Sequence, residues 1–151
     1  MIKGRLRRGA LRWFRLPLRD KLRILYIACV ATAAEVAVRF VPLRKLTHVL
    51  GIRIDSGHDE RPSEGSIDRA LLERAAAVSM VYRVWPGDGS CLRRSVVLGF
   101  LVRRNHPVLR LGVGRNAGEI EGHAWIEVDG RVLGEGPGPY VPLRGAADGT
   151  S

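Results

Sequence analysis

The 151-residue chain is long enough for one domain with a core, and its 46% hydrophobic and 26% charged residues exclude a disordered or fibrous protein. Its net charge of +10 sits wholly in the first third: residues 1–50 hold 12 Lys or Arg against Asp20 and Glu35, while the remaining 101 residues balance to zero. A basic arm of this kind suits anionic lipid, an acidic peptide or nucleic acid, but the neutral remainder argues against nucleic acid as the partner of the chain as a whole.

Residues 3–15 are basic, with Leu11, Trp13 and Phe14 interspersed, and Pro17 interrupts them. Asp20 is placed to cap a helix from about Lys21 to Phe40, which Pro42 stops. The stretch from Ile24 to Val41 is the one membrane candidate. Glu35 and Arg39 lie inside it, so it reads as a buried or interfacial helix and not as a spanning one. A short helix is expected over 43–50, ended by Gly51. Asp55 to Gly65 has almost no apolar residue and reads as an exposed linker. Ser66 resembles an N-cap for a helix over 67–84, with Ile67, Leu71, Leu72, Ala75, Val78 and Val81 on one face.

Pro86-Gly87-Asp88-Gly89 breaks that helix, and a new one is expected from Ser90 or Cys91 to about Arg104. Leu92, Val96, Gly99, Phe100 and Val102 supply its apolar side. Strands are expected at 108–113, 122–127 and 131–135, the last two joined through Asp129-Gly130. The division that follows is a basic helical region at 1–54, a linker at 55–65, a core at 66–145 and a frayed tail at 146–151. Two cysteines, Cys29 and Cys91, do not make a disulfide framework, which points to a reducing compartment, the cytoplasm.

Cys91 falls at the first turn of a helix after a Gly-rich break, where unpaired N–H groups and the helix dipole favour negative charge and so a nucleophilic thiolate. Arg93 and Arg94 add positive charge nearby. The competing reading is a small buried hydrophobe, and that reading holds for Cys29 in its apolar helix. His123 opens a strand and is the candidate base. A third group must hold it. If Val128-Asp129-Gly130 is a three-residue loop closing a bulged hairpin, Glu127 pairs with Arg131 and Glu135 lies opposite His123. A two-residue turn shifts the register by one and sends Glu135 to the other face. Glu127, on the face of His123, is the weaker alternative, and Asp129 is weaker still. Trp125, also on that face, is either core or a roof over the site. His48, His58 and His106 have no partners at catalytic or ligand spacing, and no zinc pattern or phosphate loop is present, so no metal or cofactor is expected.

The segments Ser90-Cys91-Leu92-Arg93-Arg94-Ser95, Leu111-Gly112-Val113-Gly114 and Gly122-His123-Ala124-Trp125-Ile126-Glu127 through Val132 resemble the leader peptidases of lasso-peptide biosynthesis, in the transglutaminase-like superfamily. The likeness covers about residues 66–136, and Leu16-Pro17-Leu18 leading into a helix is similar too. It implies an α+β, papain-like or transglutaminase-like fold, with N-terminal helices and a catalytic helix packed on a small antiparallel sheet. It implies a Cys-His-acid triad in which Cys91 and His123 match and the family's Asp falls at Glu135. It implies a cysteine peptidase that removes the leader from a ribosomally made lasso precursor before macrocyclisation. The implied partners are the precursor peptide, a separate leader-recognition protein and an asparagine-synthetase-like cyclase; the charge of the basic region, apart from the resemblance, adds an expected peripheral membrane or acidic-surface contact. The rival readings are transglutaminase-like acyl transfer on another peptide and a non-enzymatic basic binding module.

Overall fold

The computed structural model describes residues 17–54, 67–85, 90–116 and 119–143. The chain runs α1 (Leu18–Phe40), α2 (Leu43–Leu50), β1 (Arg53–Ile54), α3 (Arg69–Arg83), α4 (Cys91–Leu101), a 3-10 turn (Arg103–Asn105), β2 (Val108–Asn116), β3 (Glu119–Val128), β4 (Arg131–Leu133) and β5 (Val141–Pro142). The expected linker, the Pro86–Gly89 break and the C-terminal tail lie outside the described residues.

Local chemistry sets most of the helix ends. Val41 is extended, as a residue before proline prefers, and Pro42 closes α1. Gly51 ends α2 in the left-handed region at φ 69, and the next amide, that of Ile52, donates back to the Thr47 carbonyl at 2.9 Å. The cap of α3 differs from expectation. Asp68 caps it, accepting from the Ala70 amide at 3.0 Å, and Ser66, the expected cap, lies outside the described residues. Leu71, Ala75, Val78 and Val81 of α3 are buried as expected, whereas Leu72 is turned outward. α4 begins at Cys91, and no side chain bonds its first amides at the cap position Ser90.

The sheet is mixed, ordered β1-β2-β3-β4, with β5 pairing β2. β1 runs parallel to β2, so the sheet is not purely antiparallel. β2 and β3 form a long antiparallel pair in which Gly112 opposes His123. The β3–β4 hairpin has a two-residue turn, Asp129-Gly130, with Val128 opposite Arg131 and Glu127 opposite Val132. Both turn residues have positive φ, 51 and 69, which gives the turn that matches strand twist. The expected three-residue bulged loop is therefore replaced by the tighter turn, and the register moves by one residue.

The main core lies between the helices and one face of the sheet: Ile27, Ala31 and Ala34 of α1, Val78 and Val81 of α3, Val96 and Val97 of α4, with Ala124, Ile126 and Leu133. Gly99 lets α4 approach closely, since a Cβ there would lie 2.8 Å from the end of Ile52 and 3.1 Å from the end of Ile126. Behind α4, Arg93 pairs with Glu35 of α1 at 3.1 Å. Arg94 lies over the Tyr82 ring, 5.8 Å from its centroid. The Tyr82 hydroxyl is buried without a hydrogen-bond partner among the described residues. Burial, reinforced by the Glu35 charge, pushes the Tyr82 phenol up to about 12. Among the described residues no helix is long and apolar enough to cross a membrane.

Two outcomes follow from this packing. Gly99→Val is expected to destabilise the fold by about 1–3 kcal/mol through overpacking, read as a lower urea midpoint. The phenol of Tyr82 titrates later in the folded state than in the unfolded one, so its contribution to stability is full below pH 10 and is lost as pH rises from 10 to about 12. Tyr82→Phe is expected to leave neutral-pH stability unchanged or raised by up to ~1 kcal/mol, because it removes an unpaired buried hydroxyl. It should also flatten the alkaline loss of the urea midpoint.

Candidate active site

The helix of Cys91 is docked on β3 by two hydrogen bonds in step. β4 pairs β3 only at Ile126–Val128. Beyond its end, the Cys91 thiol points at the Gly122 carbonyl at 3.8 Å, and the Ser95 hydroxyl donates to the Ala124 carbonyl at 2.9 Å. Four residues of helix rise by about 6 Å and two residues of strand by about 6.8 Å, so an i, i+4 pair on α4 can match an i, i+2 pair on β3. Cys91 is half-buried, and the residue after its carbonyl partner is His123.

His123 is held on three sides. Its Nε2 lies 3.1 Å from the Gly136 carbonyl. A carbonyl only accepts, so Nε2 carries the proton and a neutral ring keeps its lone pair on Nδ1. Tyr140 stacks on the imidazole with centroids 4.7 Å apart and planes 19° apart. Trp125 stacks more distantly, at 6.0 Å and 22°. Tyr140 is fixed in turn by donating to Glu121 at 3.0 Å and by passing over Gly114, where a Cβ would lie 2.7 Å from its ring. Its phenol is held above the ordinary value, first by the hydrogen bond to Glu121, with smaller contributions from desolvation and from the negative charges of Glu121 and of a Cys91 thiolate.

The expected third member does not sit where the bulged hairpin would have put it. The observed pairing ends at Ile126–Leu133, and it is the Gly136 carbonyl, not the Glu135 carboxylate, that meets the His123 ring, at 3.1 Å. Gly134, at φ 88, takes the chain out of the ladder after Leu133. The Glu135 carboxylate then pairs with Arg94 of α4. Among the described residues, the imidazole's hydrogen-bond partner is the Gly136 carbonyl. The alternative, Glu127, is also engaged elsewhere. It accepts from Arg110 Nε at 2.9 Å and from Trp125 Nε1 at 2.9 Å. Its link to His123 therefore runs through Trp125, whose ring it orients. Asp129 is exposed at the hairpin tip.

Cys29 is not the buried hydrophobe that its apolar helix suggested; it lies exposed on α1. His48 and His106 are exposed, and His58 is outside the described residues. No group of three or more His, Cys, Asp or Glu among the described residues is arranged to hold a metal. Sequence reasoning missed Tyr140 and Gly136. The available signal was the pair Gly112 and Gly114 on β2, two side-chain-free positions on the face of His123 that leave room for Trp125 and Tyr140.

A cavity of about 20 Å³ lies behind Cys91, between Arg94, Ser95, Ala124, Gly134 and Glu135. It has room for about one water and none for a peptide. A thiol at a helix start, a fixed imidazole on the strand against which that helix packs and uncapped amides are the parts that nucleophilic acyl transfer requires.

No match was found among curated proteins or among solved structures. The family model of the transglutaminase-like superfamily matches residues 33–144, which include all of the helix of Cys91, the strand of His123 and the Gly136–Tyr140 segment. The chain belongs to the transglutaminase-like superfamily.

Proposed function

We propose that the chain is a cysteine peptidase that cuts the leader from a ribosomally made lasso precursor before an asparagine-synthetase-like cyclase closes the ring. The observation that carries the chemistry is Cys91 at the start of α4, bonded to the carbonyl of the residue before His123. Superfamily membership is consistent with cysteine acyl chemistry. The lasso assignment rests on the resemblance of the Ser90–Ser95 and Gly122–Val132 segments to leader peptidases. In this reading the precursor arrives on a separate leader-recognition protein.

The Cys91 thiolate attacks the scissile carbonyl, and the resulting oxyanion is met by the amides at the start of α4. The imidazolium of His123 gives its proton to the leaving amine, which departs as the N-terminus of the core peptide. A water that gives its proton to His123 then attacks the thioester, and the leader leaves as a carboxylic acid with Cys91 restored. The Gly136 carbonyl, Tyr140 and Trp125 keep the ring in the tautomer and plane this requires. In this scheme the orienting acceptor is a backbone carbonyl, and Glu135 serves as the counter-ion of Arg94.

Cleavage of a leader–core precursor with its recognition protein, followed by mass spectrometry, tests the reading. Cys91→Ala is expected to abolish the two hydrolysis products, while Cys29→Ala retains most of the rate. A cleaving Cys91→Ala protein would overturn the peptidase. Products joined through a new amide bond would make the reaction acyl transfer instead.

The third member has its own test. Glu135→Gln is expected to slow cleavage by less than about tenfold, whereas loss of a true triad acid costs roughly 10²–10⁴-fold. Tyr140→Ala is expected to lower kcat more than it raises KM and to shift the acidic limb of the pH profile, with Tyr140→Phe recovering most of the loss because the stacked ring remains. A loss with Glu135→Gln as large as that range would return the orienting role to the carboxylate.

A further inference from the structure

α1 has two apolar faces, and the protein covers one. Ile27, Ala31 and Ala34 are buried against the core. On the opposite side Leu18, Leu22, Leu25, Cys29, Val36 and Phe40 recur at helical spacing, with Tyr26 beside them. Leu18 is 71% exposed, Leu22 57%, Leu25 58%, Val36 54% and Phe40 76%. The stripe runs the length of the helix, about 33 Å at 1.5 Å per residue. Single exposed leucines are ordinary, but a continuous stripe of this kind marks a surface that something else covers.

The charges around the stripe say what kind of surface that is. Arg19 and Arg39 are exposed at its two ends, and Arg44 and Lys45 follow on α2. The two acids of the helix lie away from it. Asp20 is half-buried on the core side, and Glu35 is turned inward to Arg93. Residues 1–16, immediately before the stripe, add Lys3, Arg5, Arg7, Arg8, Arg12 and Arg15 with no acid, together with Leu11, Trp13 and Phe14. An apolar ridge with cationic ends and no anion along it fits the headgroup boundary of an anionic bilayer, where arginines reach out to phosphate and the apolar side sinks in. Each Lys or Arg near such a surface adds to the attraction. A second copy fits less well, since stripe on stripe would bring two sets of cations together.

We infer that the outer face of α1 lies in the plane of an anionic membrane surface and holds the enzyme there peripherally. The test uses the full chain and vesicles of equal parts phosphatidylglycerol and phosphatidylcholine, against vesicles of phosphatidylcholine alone. The protein is expected to sediment with the anionic vesicles. The pair Leu25→Gln and Phe40→Gln, which changes no charge, is expected to weaken this by at least about tenfold. Alkylation of Cys91 by a small electrophile should remain at the wild-type rate, as a check on folding. As a second measurement, an environment-sensitive fluorophore on Cys29, mid-stripe, in a Cys91→Ala background is expected to shift to the blue on anionic vesicles. Four results would overturn the inference: no sedimentation of the wild-type chain, equal sedimentation of the glutamine pair, no spectral shift at Cys29, or a wild-type dimer in light scattering that the glutamine pair dissolves. A soluble protein that protects Cys29 while vesicles do not would assign the stripe to a protein partner instead.

Discussion

The contact on which the site depends is the docking of α4 along β3 through Cys91 and Ser95. The Ser95 bond is buried and joins α4 to β3 through two residues 29 positions apart. A net contribution of about 1 kcal/mol is modest, but losing it strands a buried carbonyl as well. Its larger effect is on register. Ser95 on Ala124 fixes where along the strand the helix begins, and so puts the first turn of α4 beside Gly122 and His123. The glycine at 99 does the same one turn further on, where Ile52 and Ile126 leave no space for a side chain. A helix held at Ser95 and Gly99 has no freedom to slide its first residue past the imidazole.

Much of this was legible in the sequence, and the parts that were not have identifiable causes. The C-terminal end of α1 and the extent of α2 followed from Pro42 and Gly51, because proline and left-handed glycine act locally; the start of α1 did not, since the helix begins at Leu18 directly after Pro17 and takes Asp20 into its first turn instead of using it as a cap. The start of α4 at Cys91 followed from the break before it. The hairpin at Asp129-Gly130 was legible as a hairpin, but its register was not. An Asp-Gly pair fits both a two-residue turn, with both residues at positive φ, and a three-residue loop with only the glycine there. The difference is one residue's backbone, Asp129 at φ 51. With that choice the Gly136 carbonyl meets the His123 ring in place of the Glu135 carboxylate. Asp68 displaced Ser66 as the cap of α3 for a similar reason, as both are good caps two residues apart. β1 and β5, two residues each, are too short to leave a pattern, and their pairing is set by where β2 lies.

The two arginines after Cys91 show how proximity in sequence can mislead about electrostatics. Read from the sequence, both add positive charge beside the thiol. In the fold each is committed to a carboxylate: Arg93 to Glu35 on α1, Arg94 to Glu135 after β4. Each pair is close to neutral from a distance, so the positive end left beside Cys91 is the start of α4 itself. The pairs act instead as tethers, one from α4 to the N-terminal helix and one from α4 to the segment that carries Gly136 and Tyr140.

This arrangement makes α4 the junction of the molecule. Its inner side is packed into the core, its first turn holds the thiol, and its two ion pairs reach the longest helix and the histidine clamp. α1 looks weakly amphipathic in sequence because both of its sides are apolar, and the fold shows that the two sides have different work. The side with Ile27, Ala31 and Ala34 uses small residues to bring α1 close to α4. Close approach is what allows Glu35 to reach Arg93, two residues from Cys91, without leaving the helix. The apolar outer side is then free to meet a surface while the inner side stays fixed by packing, so a contact made along α1 does not have to disturb the register on which the imidazole and the thiol depend.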